Sequence, residues 1–527
     1  MADPRESGYS SDDLARAPGR DDPDDYRHPF ARDYDRLVHT SAFRRLQGKT
    51  GVVAPGEADF FRTRLTHTIE VSQLSRRLGW KLGAHPDVVE AAAVMHDFGH
   101  APFGHVGEES LSDAVDRTAA AWGLDPAAVG GYEGNAQTFR LVTTRLVGSS
   151  AKPGLHLTRA TLDAATKYPW QRGEVGDQKW CFYPTELEQA AWMREPVPAE
   201  RQYTQSFEAQ VMEWADDVAY AIHDLEDFCL AGLLPLALLT QSASARESTA
   251  RQLVARRRRR GKLQDTDTAG LTAAAGVPSN APDGLTGTAG VPTNATDGLT
   301  GTAGVPTNAT GALAGAAGAD SAARSGQPRY TADELVDAFE RIFTEDDGPF
   351  EGFRGLAGEF DGSTQSRHAV HLMRKRLINR LVHAVAPRDS SMPPRRHFND
   401  LAIPKEARLV NDVLRDLLWV FVIEHPRMAT YQHGQRRVVN ELFEIYAASV
   451  RADDTSIFPR DLQAEIDGLR AVADHATTGQ PDGRGVDTDV EVLRLIADHV
   501  GQMTDDAAAR MHRRLTGHGD RVFSDFL

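Results

Sequence analysis

Apolar residues along most of this chain recur at intervals of three and four, the spacing of one helix face, and no convincing two-residue alternation appears. LTHTIEVSQLSRRLGWKL (65–82) places Ile69, Leu74 and Leu78 at near-helical spacing. PDVVEAAAVMHDFGH (86–100) opens with a proline suited to a first helical turn and breaks at Gly99. The clearest helix is predicted over 206–234, where Val211, Ala215, Val218, Ile222 and Leu225 form a single apolar stripe. Helical patterning returns at Tyr330 and continues through 367–385, 405–423 and 434–450 to an Asp-rich helix near the end. The pattern predicts an all-α fold.

Two interruptions divide the chain. Residues 1–25 are rich in Asp, Arg, Gly and Pro with little to bury, which predicts a disordered tail ahead of a helical core over 26–244. Between Thr240 and Arg329 there is no Phe, Trp, Tyr or Met, and DGLTGTAGVPTNAT occurs at 283–296 and again at 297–310. Such a composition cannot bury enough surface to offset ordering entropy, so 245–328 is expected to be a disordered insertion, with 329–527 completing the fold as a C-terminal helical region. The five arginines Arg256–Arg260 are expected at a solvated linker edge, with phosphate contact as the less favoured reading.

Composition narrows the class. Hydrophobic residues make up 41% and charged residues 25%, the range of globular proteins, and no run of 18 apolar residues suggests a membrane span. The acidic, polar start lacks the apolar core of a signal peptide. Two cysteines, Cys181 and Cys229, are too few for a disulfide framework, so a cytoplasmic setting is expected. The net charge of −16 argues against a non-specific nucleic-acid binder, but a phosphate pocket needs only a few local cations.

The candidate chemistry begins at His96-Asp97, an adjacent imidazole and carboxylate at the end of an apolar helix. Alone, such a pair is weak evidence. With His67 on the preceding amphipathic segment and Asp216 on a later one, it would make a four-ligand site between helices. Asp216, Tyr220 and Asp224 are spaced four apart and share one helical stripe, an expensive set to press against a core unless each has a partner.

RLTH (64–67), HDFGHAPFGHVGEE (96–109), YEGNAQTFR (132–140), LTRATLDAATKYP (157–169) and ADDVAYAIHDLED (215–227) occur in that order. With HPFARDYDRLVHTSAFRRLQGKTGV (28–52), they strongly resemble the bacterial deoxyguanosine triphosphate triphosphohydrolases, and more distantly the vertebrate deoxynucleotide triphosphohydrolase with the same HD core. The resemblance covers 26–234 well and 365–450 loosely. It implies an HD-domain helical bundle that cleaves a deoxynucleoside triphosphate, dGTP or another, to deoxynucleoside and triphosphate. It implies a divalent metal, magnesium or manganese, held by His67, His96, Asp97 and Asp216. His105 would transfer a proton and Glu108 would orient it. Arg64 would clamp phosphate, Lys167 and Tyr168 would lie near phosphates and sugar, and Asn135 would line the pocket. Tyr220 would pack under the deoxyribose and Asp224 would bond its 3′-hydroxyl. Relatives assemble as tetramers or hexamers and some respond to nucleotide activators, so a homo-oligomer and an activator are expected. One departure stands out: KTGV replaces the usual KTQV, so Gly51 occupies the place of a sugar-bonding glutamine.

Two rival readings remain at this level. One keeps the HD metal but acts on another nucleotide, which EGNAQ and KYP disfavour. The other is a nucleotide or single-strand binder with weak catalysis, which the intact ligand set disfavours. The low-complexity reading makes a prediction of its own. Deletion of 262–326 is expected to leave expression, thermal unfolding and nucleotide turnover close to those of the full chain, and an insoluble or inactive deletion would refute it.

Overall fold

A computed structural model describes residues 9–16, 25–51, 61–147, 153–260, 262–263, 330–424, 426–476 and 488–518. Among these the fold is helical throughout, and the paired strands are two residues each, Ala386–Pro387 and Leu401–Ala402, antiparallel with Ala386 opposite Ala402. No described helix is long and apolar enough to cross a membrane.

Local chemistry sets the helices that matter. Arg64–Leu82 begins at Thr63, whose hydroxyl accepts from Thr66 N, and stops at Gly83 with φ 86°. Pro86–Met95 begins with its proline in the first turn behind the His85 cap. Phe207–Leu230 is capped by Ser206. All five residues of its predicted stripe are fully buried. The 65–82 pattern is less faithful. Ile69 is 43% exposed, and the buried line is Val71, Leu74, Leu78 and Leu82. Ile69, five residues before Leu74 rather than three or four, lies on the opposite side of the helix from that line.

One apolar cluster runs from Phe30 through the 64–82, 86–95 and 207–230 helices to Ile423. A second joins the His105–Ala121 helix to Val439–Val450 and to the Thr488–Gly501 helix. The C-terminal helices therefore share cores with the N-terminal ones. Burial of this kind, at about 25 cal/mol per Å² of apolar surface, is the main force holding the bundle together.

Both stretches expected to be disordered contain ordered residues. Within 1–25, Ser11–Leu14 forms a helical turn. Tyr9 donates to Glu208 Oε1 at 2.5 Å, and Arg16 pairs with buried Asp33. At the other stretch, Ala243–Arg259 is a helix. Its Arg256 and Arg257 are buried, both bond Asp416, and Arg256 and Arg260 stack over Trp419 at 4.5 and 4.4 Å. The front of the arginine run is thus a docking element rather than a solvated linker edge, because two guanidiniums find one carboxylate and an indole face on Lys405–Leu418 and the turn after it. The 14-residue repeats lie outside the described residues.

Removing one partner of a buried ion pair strands the other charge. Asp416→Ala, which strands two, is expected to destabilise the protein by about 3–5 kcal/mol, read as a shifted denaturant midpoint.

Candidate metal and phosphate site

The three helices just described bring their polar residues to one point. His67 sits in the first turn of Arg64–Leu82, His96 and Asp97 directly follow Pro86–Met95, and Asp216 lies midway along Phe207–Leu230. His67 Nε2 is 3.1 Å from Asp216 Oδ1. His96 Nε2 is 3.2 Å from Asp97 Oδ1 and 3.4 Å from Asp216 Oδ1. His96 Nδ1 lies 2.6 Å from the Ala93 carbonyl. A carbonyl only accepts, so Nδ1 carries the proton and Nε2 presents a lone pair. That buried Nε2 has no hydrogen-bond partner. Two imidazole nitrogens and two carboxylates converging on an orphaned lone pair fit a divalent cation by donor chemistry. His67, His96 and Asp97 offer ligand atoms all within 4.8 Å of one another.

Cations surround the carboxylates. Arg64 Nη1 donates to Asp97 Oδ2 at 2.8 Å, and Lys167 Nζ donates to Asp216 Oδ2 at 2.6 Å. Burial alone would raise both carboxyls, but His96, His100 and Arg64 hold Asp97 well below the usual range, and Lys167 with His96 does the same for Asp216. Burial pulls Lys167 down and Asp216 more than compensates, so its pKa is raised.

A second cluster adjoins the first. His100 Nε2 is 2.9 Å from Asp97 Oδ1, its Nδ1 bonds Glu108 Oε1, and His105 Nδ1 is 3.3 Å from Glu108 Oε2. His100 joins the two groups and was not singled out from the sequence. Its signal was the second histidine of HDFGHAPFGH, three residues beyond Asp97. Burial lowers His105 to about 4 against the opposing pull of Glu108. Two further lysines were also missed: buried Lys179, 3.0 Å from Glu133 Oε1, and Lys49, whose ammonium burial lowers to about 7.

Close backbone approach is required here. A Cβ on Gly134 would lie 2.8 Å from Glu108 Oε1 and 3.2 Å from His100 Nδ1. Phe103 and Gly104, just before His105, have φ of 64° and 61°. For Phe103, which is not a glycine, that conformation costs roughly 1–2 kcal/mol.

The other expected residues are placed as follows. Tyr220 meets the His67 ring edge-on at 6.1 Å. Asp224, one turn on, is raised to about 8 by burial and by Asp227, and its Oδ2 is buried without a hydrogen-bond partner. Asn135 Nδ2 donates to Glu133 Oε1 at 2.9 Å, and the residue lines a small cavity with Thr138, Phe139, Thr166 and Cys181. The Tyr168 ring packs on Trp170 at 5.7 Å. Gly51 is described but 52–60 are not.

The HD domain family matches residues 64–130, the span that holds His67, His96, Asp97, His100, His105 and Glu108, and the phosphohydrolase-associated domain family matches 401–478. A deoxyguanosinetriphosphate triphosphohydrolase-like protein of Streptomyces coelicolor is 33% identical across 97% of this chain and 98% of its own length. The chain belongs to the deoxyguanosinetriphosphate triphosphohydrolase-like family of HD-domain proteins. Family members of the same description from Bifidobacterium longum and Corynebacterium glutamicum are 41% and 42% identical, over 43% and 41% of this chain and about half of their own lengths (47% and 49%). HD domains bind divalent metals. In this member of the triphosphohydrolase-like family, Asp216 touches both histidines of the first cluster. Asp216→Ala is therefore expected to lose bound divalent metal on elemental analysis, and full metal content in that variant would remove Asp216 from the ligand set.

Proposed function

We propose that this chain is a metal-dependent deoxynucleoside triphosphate triphosphohydrolase, with dGTP, named in its relatives' descriptions, as the first substrate to test. The observation that carries the proposal is the orphaned His96 Nε2 among His67, Asp97 and Asp216, directly beside the His100–Glu108–His105 chain. A divalent cation held by His67, His96, Asp97 and Asp216 would supply Lewis acidity at the α-phosphate.

The chain's own residues do the rest. Arg64 and Lys167, both raised in pKa, keep their positive charge at neutral pH and draw in the polyphosphate. A water oxygen adds to the α-phosphorus, the bond from phosphorus to the 5′-oxygen breaks, and that oxygen takes a proton as the deoxynucleoside leaves, with triphosphate as the other product. His105 is the proton-transfer group. Glu108 engages Nδ1 and so leaves Nε2 to exchange the proton. In the free protein burial holds His105 neutral, and the negative charge of a bound triphosphate acts in the opposite direction, favouring the protonated form. Tyr220 and Asp224 face the sugar. The Asp224 carboxyl, protonated up to about pH 8, can both donate to and accept from a hydroxyl, and bulk at Tyr220 disfavours a ribose. Without the usual glutamine at Gly51, one hydrogen bond is absent, worth about 0.5–1.5 kcal/mol, which weakens sugar binding without removing the chemistry.

Incubation with each deoxynucleoside triphosphate and magnesium or manganese is expected to yield deoxynucleoside and intact triphosphate on ion-exchange chromatography, abolished by a chelator. Monophosphate with pyrophosphate, or no turnover in any mixture, would overturn the reading. His105→Ala is expected to keep its metal and to lose roughly 100- to 10,000-fold in kcat, the range for removal of a general acid or base.

A further inference from the structure

The loop that carries His100 and His105 is irregular and buried, so each of its backbone polar groups needs a partner. Gly99 N donates to Thr138 Oγ1 at 2.9 Å, and the Gly99 carbonyl accepts from Tyr132 Oη at 2.8 Å. The next two partners come from far along the chain. Lys49 Nζ donates to the His100 carbonyl and to the Gly501 carbonyl, the latter at 3.0 Å. Phe103 N donates to Asp505 Oδ1 at 2.8 Å. The other oxygen of Asp505 accepts from Thr50 N at 2.9 Å and from the Thr50 hydroxyl.

Asp505 thus fastens Phe103, the left-handed residue two places before His105, to the segment that follows the 41–48 turn. The packing around it is tight. A Cβ on Gly48 would lie 2.8 Å from Thr504 Cγ2, and one on Gly501 would lie 2.2 Å from Tyr132 Oη, so the junction between Thr488–Gly501 and Asp505–Leu515 sits directly on the loop. A left-handed non-glycine residue persists when its surroundings over-determine it. Here the surroundings are this carboxylate and this junction.

We propose that Asp505 is a positioning residue for the reaction, holding the Phe103–Gly104 turn so that His105 and Glu108 present their proton-transfer geometry. The inference rests on the role given to His105 above. Asp505 is outside the metal ligand set and acts through the backbone, so its loss weakens turnover rather than metal binding or ground-state affinity.

The test uses the full chain. Asp505→Asn keeps the shape but turns an amide N–H₂ toward one of three existing donors. It is expected to lower kcat roughly 10- to 100-fold, the scale of a small misplacement, while KM changes by less than about 2-fold and bound metal is unchanged. Amide hydrogen exchange measured by mass spectrometry is expected to speed up in peptides covering 98–108 and to stay unchanged in 207–230. Thr50→Val, which deletes one donor and leaves the carboxylate in place, is expected to move both readouts in the same direction by less, and it carries the test if Asp505→Asn does not fold. Wild-type kcat with wild-type exchange at 98–108, or a parallel loss of metal, would overturn the proposal. If the unaltered protein turns over no deoxynucleoside triphosphate, the functional reading fails. Exchange at 98–108 then still decides whether Asp505 holds the loop.

Discussion

The organisation of this protein depends on keeping two carboxylates, Asp97 and Asp216, ionised in a largely buried site. A buried carboxylate without partners would take up a proton. Here His67, His96, His100, Arg64 and Lys167 supply the compensation, and they arrive from three stretches of the chain, 64–67, 96–100 and 167. Where the helices meet, their apolar stripes pack together and this ring of charges is satisfied. The stripe of Phe207–Leu230 fits the same pattern: its greasy side enters the main core while Asp216, Tyr220 and Asp224 face the pocket.

Two neighbouring acids show how position sets protonation. Asp216, beside Lys167, is held low, whereas Asp224, two turns away, is held high by burial and by the charge of Asp227. One helix thereby offers a permanent anion and a neutral hydrogen-bonding group eight residues apart. The first suits a cation and the second suits an alcohol. His100 extends the arrangement by linking Asp97 to Glu108, so the two halves of the site are electrostatically joined rather than merely adjacent.

What could be read from the sequence follows from how local the cause is. The all-α fold was legible because helical periodicity is a property of short windows. His67, His96, Asp97, Asp216, Arg64 and Lys167 were legible because they fall in ordered motifs, and the structure gathers them. Ile69 was misjudged because its separation of five residues from Leu74 does not keep the two on one helix face, and Ile69 turned out exposed. Arg256 and Arg257 resembled a solvated edge because their partner, Asp416, is about 160 residues away and nothing in the run announces it. Lys49 and Asp505 were invisible for the same reason. A buried lysine bonded to two carbonyls has no local signature, nor does an aspartate whose value lies in a backbone amide some 400 positions earlier.

The contact between Phe103 and Asp505 also bears on how the chain is made. The four converging residues His67, His96, Asp97 and Asp216 have all left the ribosome once residue 216 has, but the carboxylate that holds Phe103 follows roughly 300 residues later, some 15–60 s at ~5–20 residues per second. Until then the nascent chain has these four residues but not the grip on the loop that follows Asp97, and both partners of the Arg256–Asp416 dock are synthesised in the interval. Maturation of the centre is therefore ordered in time by the order of the sequence, with the Asp505–Leu515 helix acting as the closing stitch.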